Sequence, residues 1–270
     1  MGTDSTGATR IRRLFDRTRA EGRTALLPFM MAGLPDRDGS VSIFAALAEA
    51  GADAFEVGFP YSDPLMDGPV IQTAAARALE AGANLQRSFE VLAKVAALGK
   101  PTLAMTYANP VARIGPELFC RQVAAAGADG LIVADLPLEE AGPFLEGARR
   151  AAIGLVLFVA PTSDDERLAR VAAAEPAFIY GVAELGVTGE RRETSDHAVR
   201  LAQRVKRVTD LPLVLGVGIS SAQQAKALAG VADGIIVGTA LVRRVLEAGS
   251  LDEGKAAVRS AVAELAAALR

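Results

Sequence analysis

Two carboxylates stand out for where they fall in the chain. Glu56 lies inside the apolar run Ala54-Phe55-Glu56-Val57-Gly58-Phe59, whose neighbours strip it of water. A desolvated carboxyl keeps its proton to higher pH, and such a group can give and take protons near neutrality. The alternative is a core glutamate neutralised by a Lys or Arg from a neighbouring element, and the run itself does not choose. Eleven residues later comes Asp67, in the loop Pro60-Tyr61-Ser62-Asp63-Pro64-Leu65-Met66-Asp67-Gly68-Pro69. Its prolines restrict the chain and hold the aspartates in few conformations. Asp67 can return toward Glu56 from there, although Asp-Gly and Ser-Asp-Pro are also ordinary turn chemistry.

A second kind of chemistry is suggested by glycine. Gly186-Val187-Thr188-Gly189, Gly216-Val217-Gly218-Ile219-Ser220 and Gly238-Thr239-Ala240 each follow an apolar run late in the chain. Glycine lets backbone N–H groups approach an anion, and a helix opening at Thr239 adds its dipole. Each segment alone reads equally as a turn; together they point to phosphate. The polar stretch 181–194, with Glu190, Arg191, Arg192 and Glu193, is either a lid over the substrate or a solvated loop.

These groups need a scaffold. Short runs rich in Val, Ile, Leu and Phe recur at 25–32, 54–59, 101–107, 130–134, 154–159, 177–182, 212–217 and 234–237. They do not alternate with polar residues, as expected of parallel strands buried on both faces. Between them lie alanine-rich helical patterns, such as 41–50 with Ile43, Phe44 and Leu47 on one face. Ser163-Asp164-Asp165-Glu166 reads as a capping box for the helix running to Ala174, rather than as a metal site. Ala50-Gly51-Ala52-Asp53, Ala126-Gly127-Ala128-Asp129 and Gly230-Val231-Ala232-Asp233 repeat as helix-to-strand junctions, with glycine suited to a left-handed helix end.

Eight strands with intervening helices predict an α/β fold: one (β/α)8 TIM barrel spanning 1–270 as a single domain. Two helical patterns are extra, one at 10–20 and one within 67–99 after the second strand. A doubly wound open sheet is the runner-up, and the strand count and the lack of an early Gly-x-Gly-x-x-Gly loop weigh against it. Barrels place their chemistry at the C-terminal ends of strands. Glu56, Asp67 and all three glycine segments fall there. So do Tyr107, Asn109, Asp135 and Tyr180, each a pocket wall or a packing and capping residue.

Composition removes other classes. The net charge of −3 gives no pull toward nucleic acid or an anionic membrane. One cysteine, Cys120, leaves no internal disulfide and no cysteine-built zinc site, and one histidine, His197, leaves no multi-histidine site. No uncharged apolar run reaches the roughly 18 residues of a membrane span. The first thirteen residues lack the apolar core of a secretory signal. A cytoplasmic chain is expected. The basic stretch Arg10, Arg12, Arg13, Arg17 and Arg19 reads as an amphipathic packing helix with a solvated face.

The run Phe55-Glu56-Val57-Gly58-Phe59-Pro60-Tyr61-Ser62-Asp63-Pro64-Leu65-Met66-Asp67-Gly68-Pro69-Val70-Ile71-Gln72 resembles the signature of the tryptophan synthase α chain family. Pro28-Phe29 with Ala32-Gly33, Tyr107-Ala108-Asn109-Pro110, Val133-Ala134-Asp135-Leu136-Pro137, Gly186-Val187-Thr188-Gly189 and Gly218-Ile219-Ser220 match further family segments in order. The resemblance covers essentially the whole chain. It implies retro-aldol cleavage of indole-3-glycerol phosphate to indole and glyceraldehyde 3-phosphate, with no metal and no organic cofactor in this chain.

By the same resemblance, Glu56 is the proton-transfer residue and Asp67 accepts the indole N–H. Phe29, Tyr107 and Tyr180 match pocket positions, and Thr188 moves with the lid. Gly189, Gly218, Ile219, Gly238 and Thr239 bind phosphate. The implied partner is a pyridoxal-phosphate-dependent β chain in an α2β2 assembly, with Asp63 and its neighbouring prolines at the interface. A stand-alone lyase releasing free indole, or a silent barrel that activates a partner, would share most of these residues. The chain departs from the family at Met31, Leu34 and Val217, in the stretch 181–185, which lacks the family's serine, and at Glu184 and Glu190, which add acid.

Overall fold

The computed structural model describes residues 6–182, 191–216 and 218–270. Eight parallel strands close a barrel in chain order: β1 (Ala25–Met31), β2 (Phe55–Gly58), β3 (Thr102–Thr106), β4 (Gly130–Val133), β5 (Gly154–Val159), β6 (Ile179–Val182), β7 (Leu213–Gly216) and β8 (Gly234–Val237). Every residue of β1, β2, β4 and β8 is buried, which is why these runs are apolar without alternation. The β1–β2 register sets Phe29 beside Glu56, and the β2–β3 register sets Glu56 beside Leu103.

Helices wrap the barrel. After β1 comes α2 (Arg37–Glu49), and β2 is followed by α3 (Pro69–Glu80) and α4 (Leu85–Ala96). After β3 come α5 (Ala108–Ile114) and α6 (Pro116–Ala125), then α7 (Gly142–Arg150), α8 (Asp165–Ala173), α9 (Arg191–Val208) and α10 (Ala222–Leu228) in turn. The chain closes with α11 (Thr239–Glu247) and α12 (Leu251–Ala268), and opens with α1 (Gly7–Ala20).

The two expected extra helices are α1 and one of the pair after β2. Two more appear that the sequence reading did not separate. Gly115 at φ +96° with Pro116 behind it divides α5 from α6. Ser250 caps α12 by accepting from the Glu253 N–H, and the Glu253 carboxylate accepts from the Gly249 N–H, so this turn divides α11 from α12. The cap of α8 also differs from expectation. Asp164, not Ser163, accepts the Arg167 N–H, while the Ser163 hydroxyl accepts from the Ala160 N–H.

Helix α1 closes the floor of the barrel through the three repeated junctions. Gly51, Gly127 and Gly230 all take positive φ, as the junction reading required. The aspartate that ends each junction then accepts a backbone N–H at the start of another strand: Asp53 from Leu26 at 3.0 Å, Asp129 from Thr102 at 2.9 Å and Asp233 from Leu213 at 2.8 Å. Arginines from α1 pair with the same carboxylates. Arg10 reaches Asp129 at 3.1 Å, Arg17 lies 3.6 Å from Asp53 and Arg19 reaches Asp233 at 2.9 Å. Arg23, just beyond α1, grips Asp53 with two bonds of 2.7 and 2.8 Å, and Lys206 of α9 also pairs with Asp233.

Helix α1 is the amphipathic packing helix expected, with Ile11, Leu14 and Phe15 buried, and Arg10, Arg17 and Arg19 of its solvated face also clasp the barrel floor. Asp53→Ala leaves the Leu26 N–H without its acceptor and Arg23 without its partner. Denaturant unfolding should show a loss of about 2–4 kcal/mol with kcat unchanged, since the floor is remote from the strand C-termini.

Other features behave as simple packing. Phe59, just after β2, packs edge-on against Phe89 of α4 at 5.1 Å, and Phe89 meets Phe119 of α6 at 5.3 Å, anchoring the start of the Asp67 loop. Cys120 is fully buried, and burial pushes its thiol up to about 11. Among the described residues, no helix is long and apolar enough to cross a membrane.

Candidate active site

At the C-terminal end of the barrel lies a cavity of about 210 Å³ lined by Phe29, Glu56, Asp67, Tyr180, Gly218, Ile219, Gly238 and Thr239, with Met66, Gly68, Ile71, Met105, Gly216 and Ile236. It brings together residues from β1, β2, β3, β6, β7 and β8 and the loops after them. The strand order makes these ends neighbours.

Glu56 is 3% exposed, and among the described residues its Oε2 has no hydrogen-bond partner. Of the two sequence readings, the neutralised core glutamate is not what the described residues build: among them no Lys or Arg pairs with it. Burial first, and the nearby Asp67 charge second, push its carboxyl up to about 8. At pH 7 it holds its proton.

Asp67 reaches the cavity from the loop between β2 and α3 and is half-buried. Burial raises its proton affinity, and a hydrogen bond from the Tyr107 hydroxyl opposes that rise. The same hydroxyl accepts the Met66 N–H at 3.2 Å. Tyr107 is itself buried and held well above the usual phenol range, by burial and then by the Asp67 charge. It is not among the cavity-lining residues, so the fold places it behind Asp67 rather than on the cavity wall.

Tyr180 does line the cavity, and burial and the two carboxylates raise its phenol likewise. Its ring packs on Phe158 at 4.8 Å. Two glycines make room for the aromatic walls. A Cβ on Gly58 would sit 2.4 Å from the Phe29 ring, and one on Gly216 would sit 2.5 Å from Tyr180. Neither position tolerates a side chain without moving the ring that lines the cavity.

The other end of the cavity suits an anion. Gly238 is the N-cap of α11, which has no side-chain cap and no acidic residue in its first turn. Its first N–H groups and dipole are left to a ligand. Gly218 and Ile219, with Gly218 at φ +63°, line the same end. Thr188, Gly189, Val217 and most of the segment 181–194 lie outside the described residues, so the lid reading and these two contacts stay expectations.

Comparison with known proteins identifies this arrangement. The family model described as "Tryptophan synthase alpha chain" matches residues 15–270. A tryptophan synthase alpha chain of Thermobifida fusca (strain YX) is 45% identical over 265 residues, covering 97% of this chain and 98% of that one. One from Synechococcus sp. (strain CC9902) is 46% identical over 236 residues, covering 87% and 88%. A solved structure of Mycobacterium tuberculosis tryptophan synthase superposes with a TM-score of 0.88 at 41% identity, covering 97% of this chain and 98% of that one.

The chain belongs to the tryptophan synthase alpha chain family.

It is thus a carbon–carbon lyase of tryptophan biosynthesis that cleaves indole-3-glycerol phosphate. In this α chain the cavity walls that the sequence reading did not single out are Met66, Gly68, Ile71, Met105 and Ile236, while Gly216, from the second glycine segment, does line the cavity. Met66, Gly68 and Ile71 flank Asp67 and were findable from it. Met105 and Ile236 were not, because strands buried on both faces carry no signal for which residues face inward. Of the residues left open between pocket wall and packing or capping, Asp135 and Asn109 take the second role. The Asp135 carboxylate accepts the Ala108 N–H at 2.6 Å at the start of α5, and the Asn109 amide donates to the Tyr61 hydroxyl at 2.7 Å.

Proposed function

We propose that Glu56 and Asp67 carry the cleavage of indole-3-glycerol phosphate to indole and glyceraldehyde 3-phosphate. The observation behind this is the buried, unpaired Glu56 sharing one cavity with Asp67 and with an uncapped helix start.

Breaking the bond between the indole ring and the side chain needs a proton on ring carbon 3 and removal of one from the adjoining hydroxyl. Protonated Glu56 gives its proton to carbon 3. The positive charge spreads to the ring nitrogen, where Asp67 accepts the N–H and stabilises it. The Glu56 carboxylate then takes the hydroxyl proton. The carbonyl forms, the carbon–carbon bond breaks, and its electron pair returns to the ring. Glu56 ends protonated, as it began. A neutral Glu56 also adds no charge to a site that must accept a phosphate.

Phe29 and Tyr180 pack the indole, and Gly218, Ile219, Gly238 and Thr239 bind the phosphate on backbone N–H groups, joined by Thr188 and Gly189. Tyr107 holds Asp67. Proton transfer is all that this step asks of the chain, so pyridoxal phosphate belongs to the β-chain partner and no metal is used. The α2β2 assembly forms in the cytoplasm, each α chain acting as one domain. Leu65 and Met66, 80% and 62% exposed on the loop that carries Asp67, offer the partner an apolar face.

The test is indole release from indole-3-glycerol phosphate by purified chain, with and without a tryptophan synthase β chain, across pH 6–10. Slow release that rises strongly with the β chain is the expected result. The rate should fall with limiting slope −1 above about pH 8, where Glu56 loses its proton. Fast release indifferent to the β chain would favour the stand-alone lyase. No indole under either condition would remove the catalytic reading.

A further inference from the structure

The backbone of Asp67 is held from outside the cavity. Gln72, one turn into α3, donates from Nε2 to the Asp67 carbonyl oxygen at 2.8 Å, and its own backbone N–H bonds the Gly68 carbonyl at 3.0 Å. On the other side, the Asp67 N–H donates to the Pro64 carbonyl at 3.0 Å. Both peptide groups flanking the Asp67 Cα are therefore tied. Gln72 does not line the cavity. It sits on the outer face of the loop, beside Tyr61, Ser62 and Leu65. The start of α3 has no side-chain cap, because Gly68 stands at the N-cap and Pro69 follows.

We infer that Gln72 is a positioning residue, which fixes the 67–68 peptide so that the Asp67 carboxylate points at the indole nitrogen. This rests on the reading of Asp67 as the acceptor of the indole N–H. Without the Gln72 donor the peptide is free to rotate about the Asp67 ψ angle, and the carboxylate shifts with it. A charge-assisted hydrogen bond to a developing cation is lost steeply with such displacement. Substrate held by phosphate and ring packing is bound as before, so the loss falls on kcat.

Gln72→Met keeps the length and removes the donor, and Gln72→Lys keeps a donor at similar reach. In the full purified chain, Gln72→Met should lower kcat for indole release about ten-fold, with KM within about two-fold. Its Tm should stay within about 2 °C of the parent, because an exposed hydrogen bond adds little to stability. Gln72→Lys should recover most of the lost kcat. Asp67→Asn is measured alongside. If Asp67→Asn is impaired while Gln72→Met turns over normally, the positioning role is overturned and the reading of Asp67 stands. If Gln72→Met loses kcat and Tm together and Gln72→Lys is no better, Gln72 is only a helix-start brace. If Asp67→Asn keeps full turnover, the reading of Asp67 fails and the role of Gln72 fails with it.

Discussion

Glu56→Gln lowers kcat for indole release by about 10²–10⁴-fold, the worth of a positioned proton-transfer group, while KM stays near the parent value. Glutamine fits the same buried slot beside Leu103 and Phe29 but can neither give carbon 3 a proton nor take one from the hydroxyl. The same variant carries a second, signed signature. A carboxyl whose folded-state value is raised to about 8 binds its proton more tightly folded than unfolded. It therefore costs nothing at acid pH, where both states are protonated. The cost grows as pH rises through the unfolded carboxyl range and is fully present above about 8. Thermal unfolding at pH 9 should show Glu56→Gln several degrees more stable than the parent, on the order of 5 °C, with the difference vanishing near pH 4. A variant that loses activity without gaining stability at high pH would mean that Glu56 is neutralised in the native state. Near-normal turnover would sink its catalytic role outright.

Asp67→Asn is the second large effect. Asparagine keeps the shape and an acceptor oxygen but loses the charge that stabilises the positive ring. Removing a preorganised group of this kind costs about 10²–10³-fold in kcat. The residual activity has its own mark. The Asp67 charge helps hold the proton on Glu56, so without it Glu56 ionises at lower pH. The high-pH fall in rate should move down in the variant. A rate loss with that limb unmoved would place the two carboxylates too far apart to sense each other, against the shared cavity.

The two carboxylates were legible in the sequence to different degrees. Glu56 announced itself, because a charge inside an apolar strand costs free energy that chance does not supply. Asp67 was visible only as one aspartate in a proline-rich loop, and the family signature singled it out from Asp63. Tyr107 was expected on the cavity wall, and the fold sets it behind Asp67 instead, with its hydroxyl shared between that carboxylate and the Met66 N–H. Gln72 passed as the last letter of a motif. Nothing local in a helix pattern shows a side chain reaching back to the carbonyl five residues earlier.

The floor of the barrel makes the same point with larger stakes. The three junction aspartates and the arginines of α1 were each seen in the sequence, yet their pairing was not. Asp129 and Arg10 lie 119 residues apart, and Asp233 and Arg19 lie 214 apart. The chain's order of strands, its glycine junctions and the presence of a carboxyl in an apolar strand were determined by the sequence alone, since each depends on neighbours a few residues away. The tertiary structure decided which charges meet and which do not. It gave Asp53, Asp129 and Asp233 cationic partners and, among the described residues, left the Glu56 Oε2 with none. Closing the barrel puts strand starts and strand ends at opposite faces, so one set of carboxylates meets the arginines of α1 while the other faces a cavity whose remaining walls are apolar side chains, glycine, Tyr180 and Thr239.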